Sequence, residues 1–220
     1  MPGLVDEITK HGYVLLPTYR PDEKGSEIIE GIAVVADFCR DRPIHKLIVR
    51  HRLQAAPNTY SGRYGLEEFP WHTDFAHWPM PPRFLMLQCV VGFPDVLTRL
   101  VDANLVVRAI GETALFRALV RPRRPLSGAL PLLRILSRPS PNSVLIRWDE
   151  AYIRPATKAG RHGVAEFARA LAAQQVRELR LSEPGDTLII DNWRMLHGRS
   201  HVPPASAGRI LERAYLKALH

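Results

Sequence analysis

Two segments far apart in the chain carry ligand chemistry. Trp71-His72-Thr73-Asp74 sets an imidazole and a carboxylate two residues apart, and a second imidazole, His197, follows 125 positions after His72. Two imidazoles and one carboxylate are the facial triad that holds non-haem Fe(II) on one face and leaves the opposite positions open. On an extended segment, alternation turns His72 and Asp74 to the same side and Thr73 to the other. His197 must then come from a different strand. Three octahedral positions remain, two suited to a bidentate 2-oxo acid and one to O2. A small residue at 74 would make room for halide, so Asp74 favours hydroxylation or a related C–H oxidation. Arg209 and Arg213 follow His197 by 12 and 16 residues, in a stretch that alternates as a strand does. A guanidinium fork at that distance can grip a co-substrate carboxylate with two parallel hydrogen bonds.

His-x-Asp arises by chance in a chain with nine histidines, and the flanking residues narrow the reading. Trp71-His72-Thr73-Asp74, Gly185-Asp186-Thr187-Leu188-Ile189-Ile190-Asp191-Asn192, Leu196-His197-Gly198-Arg199 and Arg209-Ile210-Leu211-Glu212-Arg213-Ala214-Tyr215-Leu216 resemble the taurine dioxygenase-like (TauD/TfdA) family of Fe(II)- and 2-oxoglutarate-dependent oxygenases. The run from Asp191 to Arg199 is most similar to the branch containing γ-butyrobetaine and trimethyllysine hydroxylases. The resemblance covers residues 57–108 and 144–216. It implies a double-stranded β-helix, a cupin-like jelly roll with helices outside, and Fe(II), 2-oxoglutarate and O2 as cofactor and co-substrates. His72, Asp74 and His197 take the metal-ligand and catalytic positions.

The resemblance makes Arg213 the partner of the distal 2-oxoglutarate carboxylate, with Arg209 assisting or reaching the C1 side. The hydroxylase branch instead carries its arginine at the Arg209 position. Thr98 shares that carboxylate, although Phe93-Pro94 replaces the family's glycine pair in the turn before it. Glu68 occupies a substrate-contacting offset, and Tyr60, Arg63 and Tyr64 precede it. Tyr64, Arg147 and Arg199 join Glu68 as candidate substrate residues, and Arg154 pairs with Arg147 as a possible anion grip. Asn192 reads as the residue that fixes the turn before His197. Trp71 and Trp193 read as packing around the metal, and His77 and His201 have the wrong offsets to be ligands.

Positioning these groups requires strands. Segments 13–16, 44–53, 83–91, 144–148, 152–154, 176–181, 187–190 and 209–219 alternate or are densely apolar and predict strands. Segments 4–12, 27–39, 103–120 and 163–174 carry helical recurrence. Residues 58–69 read as a loop before the triad, and Pro79–Pro82 break regular structure. Residues 122–141 hold five prolines and predict an irregular excursion over the site. Many short strands with few long helices predict a mainly β fold with flanking helices, in one domain spanning residues 1–220.

The bulk properties fit an ordinary enzyme. Hydrophobic residues make up 46% and charged residues 24%, both globular values. No apolar run approaches the ~20 residues of a membrane span, and the N-terminus lacks signal-peptide regions. A cytoplasmic location is therefore expected. Cys39 and Cys89 make no metal-binding spacing, and Cys89 reads as a buried thiol. The net charge of +8 owes much to Arg121, Arg123, Arg124, Arg134 and Arg138, read as solvated arginines. Without arginine–aromatic interleaving, a nucleic-acid partner is not expected, and a homo-oligomer is left open. The expected activity is hydroxylation of a small polar metabolite, an amino acid or amine-carboxylate derivative, with Glu68 for its ammonium group and an arginine for its carboxylate. The competing readings are a non-catalytic jelly roll that binds metal or ligand, and a nucleic-acid demethylase.

Overall fold

Residues 84–91 are the densest apolar run in the chain, and they form the centre of the main sheet. In the computed structural model, which describes residues 3–220, the chain order is α1 (Leu4–His11), β1 (Tyr13–Leu16), α2 (Gly25–Ile32), β2 (Ala33–Val35), β3 (His45–Ile48), α3 (Tyr60–Tyr64), β4 (Phe69–His72), β5 (Phe84–Val91), β6 (Leu97–Asp102), α4 (Ala103–Ile110), α5 (Glu112–Arg117), β7 (Leu119–Pro122), β8 (Leu133–Arg134), β9 (Leu136–Ser140), β10 (Ser143–Ile146), β11 (Ile153–Pro155), α6 (Lys158–Ala172), β12 (Arg177–Arg180), β13 (Thr187–Asp191), β14 (Met195–Arg199) and β15 (Ile210–Leu219). The main sheet runs β1-β13-β5-β15, and β15 carries β3 along its first half and β2 along its second. A smaller sheet runs β12-β6-β14-β4.

Both faces of β5 are covered, which is why it reads as continuous apolar sequence rather than alternation. Leu85, Leu87 and Cys89 point inward and meet Leu188, Ile190, Leu211 and Tyr215 of the main sheet and Leu100, Leu181 and Met195 beside the smaller one. Phe84 and Met86 point outward and pack under α1 and α2 through Leu4, Ile8, Ile28, Ile29 and Ile32. A third apolar cluster joins α4, α5 and α6 to β7–β10 around Trp148 and Phe167, whose rings stack at 4.3 Å. Two sheets facing each other across an apolar interior, with helices outside, make a double-stranded β-helix.

Several expected boundaries move for identifiable reasons. The helix expected over 27–39 ends at Ile32, because Ala33 turns to extended backbone and β2 pairs with the edge of β15. The strand expected over 44–53 leaves the sheet after Ile48, and a short 3-10 turn follows at Arg52–Gln54. The loop expected over 58–69 contains α3, capped by the Thr59 hydroxyl on the Gly62 N–H. The helix expected over 103–120 is two helices, broken where Gly111 adopts φ 93°. Only glycine takes that conformation without strain.

The proline-rich segment 122–141 does not cross the site. Leu133, Ile135 and Leu136 bury themselves against Leu115 and Phe167 instead, and Arg134 and Arg138 bind Phe116 O and Glu112. No helix among the described residues is long and apolar enough to cross a membrane.

Candidate metal centre

β4 and β14 lie antiparallel with His72 directly opposite His197. The two rings sit with centroids 4.3 Å apart. Asp74 follows just past the end of β4, and Asn192 fixes it there. The Asn192 side-chain oxygen accepts the Asp74 N–H at 2.7 Å, while its amide donates to Asp74 O at 3.0 Å and to Pro82 O at 2.9 Å. Thr73 turns away, as alternation requires. Its N–H donates to Trp148 O at 2.8 Å and its hydroxyl accepts the Trp148 N–H at 3.3 Å.

Ligand atoms of His72, Asp74 and His197 all lie within 4.8 Å of one another. The Nε2 atoms of the two histidines are 3.5 and 3.7 Å from Asp74 Oδ1. His72 Nδ1 donates to Pro70 O at 2.9 Å. That bond fixes the tautomer and leaves the Nε2 lone pair facing the site, the usual outer support of a metal-bound imidazole. The other Asp74 oxygen accepts the Tyr215 hydroxyl at 2.7 Å and lies 3.4 Å from Arg213 Nη1. Burial opposes charge on Asp74, but Arg213 and the two imidazoles outweigh it and hold the carboxyl well below the usual carboxylate range. Burial, then the neighbouring Asp74, pushes the Tyr215 phenol well above its ordinary value. Tyr215 therefore stays a donor.

A cavity of ≈ 560 Å³ opens over this centre. Leu85 and Leu87 of β5 and Leu211, Arg213 and Tyr215 of β15 line one side, and Tyr60, Phe69, Tyr152 and Asp149 line the other. Arg209 is 6% exposed, yet its Nε and Nη2 have no acceptor, and neither has Arg213 Nε. Buried donors are almost always paired in native proteins, and a dicarboxylate would supply the missing acceptors. The residues present fit a divalent metal with an anionic chelator beside it.

Of the other expected residues, Thr98 is buried on β6 and lines the cavity. Glu68 does not reach the cavity. A bulge sets the four residues Phe69–His72 of β4 against the three residues His197–Arg199 of β14, so Phe69 faces inward and Glu68 turns out to pair with Arg99. Strict alternation from His72 would have placed Glu68 inside. Tyr64 packs behind Tyr60 and Phe69 without lining the cavity.

Arg147 is also lost to the substrate. It is buried and donates to the carbonyls of Arg134, Ala76, Trp78 and Pro79, because an ion in the interior must find acceptors. Burial lowers its pKa to about 10. Arg199 borders the cavity, but its guanidinium holds Gly65 O and Glu67 O and covers the Phe69 ring at 3.7 Å. Arg154 is an exposed strand residue. Trp193 donates to Pro81 O at 3.0 Å, a packing role as expected. His77 lines the cavity, whereas His201 is exposed near Glu67. Cys39 and Cys89 are both buried and free.

Sequence reasoning passed over Tyr215 and Asp149. Tyr215 was accessible to it, since residues 209, 211, 213 and 215 share a strand face. Asp149 carries no signal of that kind, because only the bridge between its backbone and that of His72 brings it to the site.

Residues 135–215, which hold His197, both arginines and Tyr215, match the family described as taurine catabolism dioxygenase TauD, TfdA family. Over those residues the chain is similar to that family. It is 30% identical over 166 residues to an L-lysine 3-hydroxylase of Catenulispora acidiphila, an alignment covering 69% of this chain and 46% of the hydroxylase. The chain thus spans about half the length of that curated relative. Solved structures share the fold at low identity. An asparagine oxygenase with Fe(II), 3-hydroxyasparagine and succinate superposes with TM-score 0.70 at 18% identity, covering 97% of this chain and 77% of that one. The iron oxygenase OrfP with Fe and α-ketoglutaric acid gives TM-score 0.70 at 17% identity, over 97% and 77% of the two chains. The PvcB protein of Pseudomonas aeruginosa gives 0.69 at 18%, over 99% and 81%. These TauD, TfdA-like folds agree with the two-sheet architecture described above.

Proposed function

We propose that this chain, as one domain, is an Fe(II)- and 2-oxoglutarate-dependent dioxygenase that hydroxylates a C–H bond of a free amino acid. One observation carries the reading. Three ligand groups converge within 4.8 Å on the wall of a cavity that also holds two guanidinium groups with unmet donors. Fe(II), 2-oxoglutarate and O2 together supply C–H oxidation coupled to decarboxylation of the oxo acid to succinate. The protein supplies position. His72, Asp74 and His197 hold one face of the metal, and Tyr215 and Asn192 hold Asp74.

The two arginines take different carboxylates in this reading. Arg213 lies against a metal-ligand carboxylate at 3.4 Å, within reach of groups seated near the metal. The distal carboxylate of a chelated 2-oxoglutarate lies at the far end of a five-carbon chain. That end falls to Arg209, with Thr98 beside it, which reverses the order expected from sequence. Arg213 then receives the carboxylate of the amino acid. The L-lysine 3-hydroxylase relative supports an amino-acid substrate. The arginines of segment 121–138 give the nucleic-acid reading no support, since Arg123, Arg134 and Arg138 are spent on contacts within the fold.

The test is a panel of amino acids, quaternary amines and sulfonates, incubated with Fe(II), 2-oxoglutarate and O2 and read by succinate release and product mass. At least one amino acid should stimulate succinate release and gain one oxygen. Arg209→Lys should raise the 2-oxoglutarate requirement, and Arg213→Lys the amino-acid requirement, each by about tenfold for loss of a charge-assisted fork. The opposite pattern would return the co-substrate role to Arg213. No stimulation by any amino acid would refute the substrate class.

A further inference from the structure

Phe75 holds a backbone conformation that suits glycine. Its φ is 57°, in the left-handed region that a bulky side chain rarely enters. Among the described residues, the other non-glycine positions with positive φ are Thr18, Arg20 and Ser127, all exposed. Phe75 is half-buried and lines the cavity, one position past the Asp74 carboxylate. It is third in the turn Thr73–Ala76, where the Ala76 N–H donates to Thr73 O at 3.3 Å. Positive φ at that position normally selects glycine.

The turn is fixed from several sides. The Asn192 side chain holds both the N–H and the carbonyl of Asp74, and the Trp78 N–H donates to Phe75 O at 2.8 Å. Strain of this kind persists only where surrounding contacts over-determine it, and it gathers at functional sites. Here it brings the Phe75 ring edge-on to Tyr215, with centroids 4.9 Å apart and planes at 69°, a favoured aromatic geometry. Trp78 at 4.5 Å and Phe38 at 5.2 Å pack against the same ring.

These contacts close a loop. A peptide bond joins Asp74 to Phe75, the ring contact joins Phe75 to Tyr215, and the Tyr215 hydroxyl donates back to Asp74 Oδ2 at 2.7 Å. Glycine would relax the backbone and break the loop. We infer that Phe75 is a positioning residue for the metal-ligand carboxylate. Its ring fixes the Tyr215 phenol, and the phenol holds Asp74 Oδ2 back so that Oδ1 alone faces the two imidazoles. A carboxylate free to bind through both oxygens would take one of the open positions that a chelating oxo acid and O2 require. The inference rests on the iron-centre reading above.

The test is an anaerobic Fe(II) titration of wild type, Phe75→Gly, Tyr215→Phe and the double variant. Phe75→Gly should lower Fe(II) affinity by about tenfold, as loss of an outer support does. The double variant should lose no more than the larger single loss, because the two residues act in one chain of contacts. Near-infrared magnetic circular dichroism reads the ligand geometry of bound Fe(II), and its bands should shift alike in all three variants. Phe75→Ala keeps the strained backbone without the ring and should lose affinity as Phe75→Gly does.

Wild-type affinity or unshifted bands in Phe75→Gly would overturn the inference. So would losses that add in full in the double variant, since Phe75 would then act apart from Tyr215. Wild-type affinity in Phe75→Ala would also overturn it, by assigning the effect to the backbone rather than the ring. The glycine comparison decides even where the alanine variant does not fold, because glycine suits the turn. Any of these results with wild-type protein that binds Fe(II) leaves the hydroxylase reading standing. If wild-type protein takes up no Fe(II), both fall.

Discussion

At the level of single residues, the centre is held by groups that never touch the metal. Asp74 offers one oxygen to the site, and its other oxygen takes the Tyr215 hydroxyl at 2.7 Å. A metal-ligand carboxylate depends on such outer hydrogen bonds for its orientation. Tyr215→Phe removes the bond and keeps the ring, which packs against Phe75 at 4.9 Å. Fe(II) affinity should fall by about tenfold or more in anaerobic metal titrations, while the thermal midpoint of the apoprotein stays near wild type. Unchanged affinity would mean that Arg213 alone orients Asp74.

At the level of elements, the pairing of β4 with β14 sets the distance between the two imidazoles. His72 and His197 are cross-strand partners, and the bulge beside them lets Phe69 and His72 face the cavity together. Gly198 permits the close approach, since a Cβ there would lie 2.8 Å from Phe69 O. That contact is with backbone and cannot be relieved by a rotamer. Gly198→Ala should push β4 away from β14 and draw His72 out of register with His197. The expected cost is about 1–3 kcal/mol of stability together with weakened metal binding, read by denaturant melts and metal titration on the same preparation. Full metal affinity in a destabilised variant would show that β4 yields at Phe69 without moving His72.

For the whole molecule, the metal and the core are separable. The apolar interior between the sheets and the cluster under α4–α6 are closed by side chains, so chelator-treated protein should remain folded. Metal and co-substrate bind only the folded state and should stabilise it through linkage, by about 2.7 kcal/mol at a hundredfold excess over Kd. Melts with Mn(II) and 2-oxoglutarate, without O2, should show the rise in wild type, and His197→Ala should abolish it. Unfolding on chelation alone would make the metal structural and contradict this account.

The sequence by itself determined the chemistry that short-range spacing can encode. His72 and Asp74 are two apart on an extended segment, so one face was assured before any sheet was known. The even spacing of Arg209 and Arg213 did the same for the arginine face, and unbroken apolarity identified β5 and β13. Tertiary structure decided everything that depends on which strands meet. A bulge of one residue reversed the side on which Glu68 emerges. Four backbone carbonyls, one on β8 and three in the segment 76–79, claimed Arg147. A bridge between positions 72 and 149 brought Asp149 to the cavity wall. The division has one physical cause. Alternation along a strand is local and survives in sequence, whereas register, bulges and long-range pairing are fixed only when distant segments compete for the same hydrogen bonds and the same interior.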